Sequence, residues 1–341
     1  AAPGAVRARP CVWAATSLSW ERHGAGSVAS WSGTLRTAPS RCGVVGARRG
    51  LATEPPTTSA AAADYHAAEQ RIAHAQGAVR ELYARGRFSE AVEAANACVE
   101  MSEAHFGREH PVTAASLNDV GACRKAAGEY EAACDAYRQS LELYVAALGT
   151  SEHPSVATAT HNLGMALKAQ AEEAKGVAKL ALVDEARATL ERGLMLRRAA
   201  LPDDAPEIAI SLWSLAAVAR MEKDNDGAAS LLQQALDLLR GSERAGDDHP
   251  LMATALNNLA YHHRVTGDLE AARPLYEEAL AMRTKRLGKA HQDTITTQHN
   301  LAEVWRLLGN EVTAVELQED ILATLQAMYG DDDDDGSGGE G

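Results

Sequence analysis

Aromatic side chains are scarce in this 341-residue chain, which has five Trp, eight Tyr and two Phe. Even so, 46% of the residues are hydrophobic, so a core would be built from Ala, Leu and Val. A membrane helix needs about 20 consecutive apolar residues, and no uncharged run approaches that, so no integral membrane segment is expected. Five cysteines without paired spacing exclude a disulfide scaffold and the common zinc frameworks. There is no GxSxG, no HExxH, no GxxxxGKS/T and no strand to carry a glycine-rich dinucleotide loop. Enzyme activity, catalytic residues, metal and cofactors are therefore not expected. Positive charge is also in short supply: 33 Lys plus Arg stand against 47 Asp plus Glu, a net charge of −14. That balance argues against nucleic acid as a partner.

The charge is unevenly placed. Residues 1–53 hold seven Arg and a single acid, Glu21. Rich in Arg, Ser and Ala and poor in acid, they have the composition of a transit peptide. Arg49-Gly50-Leu51 followed by Ala52-Thr53 resembles a mitochondrial cleavage site. A mitochondrial protein, more specifically of the matrix, is expected, with a plastid as the alternative. Residues 54–65 read as a linker and 331–341, opening with Asp331 to Asp335, as a solvated acidic tail.

Residues 66–330 repeat. His110-Pro111, His153-Pro154 and His249-Pro250 recur in register with Ala205-Pro206 and His291-Gln292, at spacings of 43, 52, 44 and 42 residues. Ten residues after each opening residue comes Val120, Leu163, Leu215, Leu259 or Leu301, and eleven after it Gly121, Gly164, Ala216, Ala260 or Ala302. Offset 18 is Gly128, Gly267 and Gly309, a turn position. Offset 31 is Leu141, Leu236, Leu280 and Leu322. The third unit keeps register after a ten-residue insertion near Ala171 to Leu180. An earlier unit without His-Pro fits at Gly86, giving six. Apolar offsets 7, 10, 11 and 14, then 23, 27, 30 and 31, have helical spacing, so each unit reads as two helices. Proline suits a first helical position, and the histidines before it read as caps rather than metal ligands. One helix pair cannot bury its apolar face alone, so the units must stack.

The small-residue and turn pattern resembles the tetratricopeptide repeat. With Leu148-Gly149…His153-Pro154 and His249-Pro250…Asn257-Asn258-Leu259-Ala260, it is similar to the kinesin-light-chain type. The resemblance implies an all-α fold, a right-handed superhelical solenoid of six helix-turn-helix repeats of about 42 residues over residues 66–330. It also implies a non-catalytic protein-interaction scaffold with a concave groove lined by one stripe of the first helices. That stripe, offsets 5, 8, 12 and 15, carries Lys125, Lys168, Arg220, Arg264 and Arg306 at offset 15. Offset 8 is Asn118, His161, Trp213, Asn257 and His299. Asn162, Asn258 and Asn300 stand beside it at offset 9. Cations flanked by amides are donors for carboxylates and for an extended backbone, so the expected ligand is an acidic, extended peptide. Other expectations open at this point are an assembly factor for a respiratory complex, a structural subunit of an organelle complex, and a cytosolic cargo adaptor of the kinesin-light-chain kind. Cys98, Cys123 and Cys134 read as small buried side chains.

Overall fold

The computed structural model describes residues 59–242 and 250–329. The segments read as transit peptide and acidic tail lie outside these residues, as does His249. The described residues hold twelve helices and no strand. The first compact unit, to Leu201, contains α1 (Ser59–Ala84), α2 (Phe88–Phe106), α3 (Pro111–Ala127), α4 (Tyr130–Leu148), α5 (Pro154–Glu173) and α6 (Gly176–Ala200). The second, from Pro202, contains α7 (Pro206–Met221), α8 (Asn225–Gly241), α9 (Pro250–Thr266), α10 (Leu269–Leu287), α11 (Gln292–Leu307) and α12 (Glu311–Tyr329). Each unit is three stacked helix pairs, the all-α repeat architecture that the periodicity implies. One boundary needs correcting: residues 59–65, read as linker, already belong to α1, because the run Ala60 to Ala63 is strongly helix-forming.

The first helix of each pair opens as the sequence suggests. Pro111, Pro154 and Pro206 sit at the first helical position. The ring Nδ1 atoms of His110, His153 and His291 accept from the backbone N–H of Val112, Ser155 and Asp293, at 3.2, 3.1 and 3.1 Å. Each histidine thus occupies one of the orphan donors of a helix start. An Nδ1 that accepts carries its proton on Nε2, and in His110 that N–H points to the Tyr65 hydroxyl, 3.4 Å away on α1. At the other end of α3, Gly128 closes the helix in the left-handed conformation, φ 85° and ψ 5°. The third unit has Ala171 at the corresponding turn. Nothing stops α5 there, and the insertion simply lengthens the pair, α5 to 20 residues and α6 to 25.

The capping histidines give the first unit a pH dependence. Burial lowers the pKa of His110 and of His153 below the ordinary imidazole value, with Glu69 pulling the other way at His110. Between the folded pKa and the unfolded value of about 6.5 the unfolded chain binds more protons, so stability is present above that value and falls as pH drops through it. Urea unfolding at neutral pH and in mild acid should show the loss. Asparagine at position 110 caps without titrating, so His110→Asn should flatten the curve.

The core is built from small residues, as the composition requires. Ala91, Ala95, Val120, Cys98 and Cys123 pack with Tyr83, and Ala260, Ala272, Tyr276, Leu301 and Val304 form a second-unit cluster. The three cysteines among the described residues are buried free thiols, pushed up to about 11 (Cys98, Cys134) and about 12 (Cys123) by desolvation, so they are protonated and inert.

Candidate functional site

The offset-15 cations fall two in the first unit and three in the second, each near the end of a first helix, and their surroundings differ. Lys125 is half buried at the end of α3. Lys168 is bonded to Glu172, one turn on, at 2.7 Å. Arg306 grips Glu303, one turn back, through two bonds of 2.6 and 3.0 Å, and holds that carboxyl below the usual carboxylate range. Arg220 and Arg264 differ. No carboxylate among the described residues lies within ion-pair distance of either. Both guanidiniums instead stack on the ring of Tyr261, 5.0 and 5.1 Å from its centroid.

Offsets 8 and 9 correct the expectation. Asn118, His161, Asn162 and Trp213 are buried and line no open surface. Wheel geometry put them on the groove stripe, but in the first unit this part of a first helix faces the first helix of the adjoining repeat. Asn162 Nδ2 there donates to Asn118 Oδ1 at 3.1 Å, and Gln76 Nε2 on α1 donates to Asp119 at 3.4 Å. In the first unit, residues at offset 8 of one repeat and offset 9 of the next thus form two buried polar rungs that fix the stacking register. In the second unit Asn257, Asn258 and Asn300 are half buried and His299 is exposed. Asn257 Oδ1 is enclosed without a hydrogen-bond partner.

What the second unit brings together is therefore Arg220 from α7, Asn257, Tyr261 and Arg264 from α9, and His299 with the Glu303–Arg306 pair from α11. Tyr261, at offset 12, was not singled out by sequence. Its column reads Ala122, Met165, Ala217, Tyr261, Glu303, and the one large aromatic was the available signal. Behind it, Tyr276 is fully buried, and burial pushes its phenol up to about 12 against the pull of Arg264. His262 is buried with its Nδ1 unpartnered, its pKa lowered by desolvation first and then by His263 and Arg220. No group of His, Cys, Asp and Glu among the described residues has the arrangement of a metal site. No described helix is long and apolar enough to cross a membrane.

Chemically, the site offers two guanidiniums, both pre-oriented by one aromatic ring, next to amides. Two like charges held on one ring, with no carboxylate among the described residues in ion-pair contact, favour an incoming anion.

The family model for the tetratricopeptide repeat matches residues 71–146 and 245–327. The chain carries tetratricopeptide repeats. Such repeats make protein-interaction scaffolds, generally without catalysis. Between the two matched stretches lie the lengthened α5–α6 pair and the unit opened by Ala205. No curated protein matches the chain. Among solved structures, a kinesin-light-chain candidate of Podosopora anserina with nearly identical TPR-like repeats is similar at 24% identity. The match covers 64% of this chain and 97% of that one, with a TM-score of 0.52. BtubC (BKLC) from P. vanneervenii is 18% identical over 80% of this chain and 97% of that one, also at 0.52. The apo form of RapI, 15% identical, covers 80% and 93% at 0.51. These likenesses show a shared helical-repeat fold.

Proposed function

We propose that the chain is a non-catalytic interaction scaffold whose second unit holds an acidic, extended segment of a partner protein, with Arg220 and Arg264 as its anchoring cations. One observation carries this reading: of the five cations at offset 15, these two are stacked on Tyr261, and no carboxylate among the described residues is within ion-pair distance of them. Lys168 and Arg306 are already neutralised within their own helices, and a ligand would have to break those bonds. The ladder thus narrows to a two-rung site, with Asn257 and His299 placed to meet a backbone or a second acid.

A labelled peptide of alternating Glu and Gly, followed by fluorescence anisotropy with the full chain, tests it. A charge-assisted bond contributes about 1.5–3 kcal/mol, so Arg220→Ala with Arg264→Ala should weaken binding tenfold or more. Lys168→Ala with Arg306→Ala removes only exposed pairs of about 0–1 kcal/mol each and should change affinity by less than about threefold. Unchanged affinity in the first variant would refute the reading.

We infer a partner inside a mitochondrion from the composition of residues 1–53. A cytosolic cargo adaptor is the second reading and has the fold likeness to kinesin-light-chain repeats in its favour. A fluorescent reporter behind residues 1–60 separates the two. Import with cleavage near Leu51 supports the first, and an uncut cytosolic reporter the second.

A further inference from the structure

The last helix departs from a pattern that earlier second helices follow. At offset 31, Leu236 is 1% exposed, while Leu141 and Leu280 pack partly buried against the clusters around Ala114 and Ala260. Each of these leucines has another helix pair after it. On α12 the same column is Leu322, and it is 56% exposed. Val312 and Val315 are also exposed, at 70% and 47%. At 100° per residue the three side chains fall within an arc of about 80°. Ala314 and Leu317 point the other way, into the helix's own core contacts. The outer side of α12 is thus an exposed apolar seat with the form that a following helix covers in the earlier pairs.

Its charge says what fits. Glu311, Glu316 and Glu319 border or cross the apolar arc, and α12 contains no Lys, Arg or His. Asp320 is already engaged by Lys289 at 2.9 Å and by Gln298 at 2.8 Å, which hold its carboxyl below the usual range. Residues 330–341 consist of Gly, Asp, Ser and Glu alone, so they supply no apolar side chain to cover the arc. An acidic or neutral helix laid on this face would bring like charge together or leave the glutamates without partners. A helix with flanking cations would complement them.

We propose that the outer face of α12, centred on Val315 and Leu322, is the docking surface for an amphipathic helix of a partner protein, with an apolar stripe flanked by Lys and Arg. This surface is separate from the arginine site, and neither proposal depends on the other.

Two labelled probe peptides of about 18 residues, long enough to be helical on binding, test it with the full chain. Both carry Leu at i, i+3, i+4 and i+7 spacing; one has Lys and the other Glu at the flanking positions. The Lys probe should bind at least tenfold more tightly by fluorescence anisotropy. Val315→Gln with Leu322→Gln should weaken it at least tenfold. Both residues are exposed, so the circular-dichroism melt should not move, and Arg220→Ala with Arg264→Ala should leave the Lys probe unaffected. Undiminished binding of the Lys probe to the Gln variant would reduce the effect to general acidity and overturn the proposal. So would equal binding of the two probes, or no binding. If light scattering shows a self-associated wild type that the Gln variant makes monomeric, a second copy is the occupant and the partner helix is excluded.

Discussion

Replacing Arg283 with alanine is expected to destabilise the second unit by about 3–5 kcal/mol. The side chain is only 7% exposed. Its Nη1 donates to the Asp293 carbonyl at 3.0 Å and to Thr297 Oγ1 at 2.6 Å, and its Nη2 donates to Thr254 Oγ1 at 3.4 Å. One residue of α10 therefore ties α9 to α11, the first helices of two successive repeats. Burial lowers the guanidinium's pKa below its ordinary value, with the Asp293 charge acting against that, yet the group stays charged and its donors must be met. Alanine removes the stem that fills the space between three helices and leaves two buried hydroxyls short of a donor. Methionine keeps most of the volume and should cost roughly half as much. Lysine, a point charge without the fork, should not rescue. Urea midpoints of the three variants decide the matter. A loss below about 1 kcal/mol for alanine would show that the site relaxes and that Arg283 is no staple.

Much of the fold was readable because each repeat states it again. A histidine or alanine before a helix start, a glycine 18 residues on and leucines at helical spacing need no tertiary knowledge, and the structure places a cap, a turn and a core at those positions. The site was only partly readable, for physical reasons. The face a residue presents follows from 100° per residue, but whether that face meets water or the neighbouring repeat depends on how closely the helices stack. Asn118 and Asn162 sit 44 residues apart and bond to one another. A polar pair at offsets 8 and 9 in successive repeats was their only trace. Arg283 was missed because arginine ordinarily stays at the surface. The neutralisation of Lys168 by Glu172 and of Arg306 by Glu303 was legible as (i, i+4) and (i, i−3) spacing. Reading those acids beside the cations would have narrowed five rungs to fewer.

Two glycine-to-alanine changes in the first unit should move stability in opposite directions, which isolates the role of helix approach. Within a helix, alanine is favoured over glycine by about 0.5–1 kcal/mol. At Gly77, on α1, an added Cβ meets only the end of the Arg80 side chain, at 3.8 Å. Gly77→Ala should therefore stabilise by about that amount. At Gly164, on α5, the same atom would stand 2.7 Å from Leu190 Cγ, 2.8 Å from its Cδ2 and 3.2 Å from its backbone nitrogen. Leu190 is fully buried on α6, so it has no vacant space to enter, and the backbone atom cannot swing aside. Across the same crossing, a Cβ at Gly193 would lie 3.3 Å from the His161 nitrogen. The two helices meet glycine to backbone from both sides. Overpacking of this kind costs about 1–3 kcal/mol, which exceeds the propensity gain, so Gly164→Ala should lower stability by about 1–2 kcal/mol net. The second unit has Ala216, Ala260 and Ala302 at the corresponding offset, where the helices already stand far enough apart for a methyl group. Paired urea titrations at neutral pH give the comparison. If both variants are stabilised, the α5–α6 crossing is loose enough to open, and close helix approach is not what the small residue at offset 11 secures.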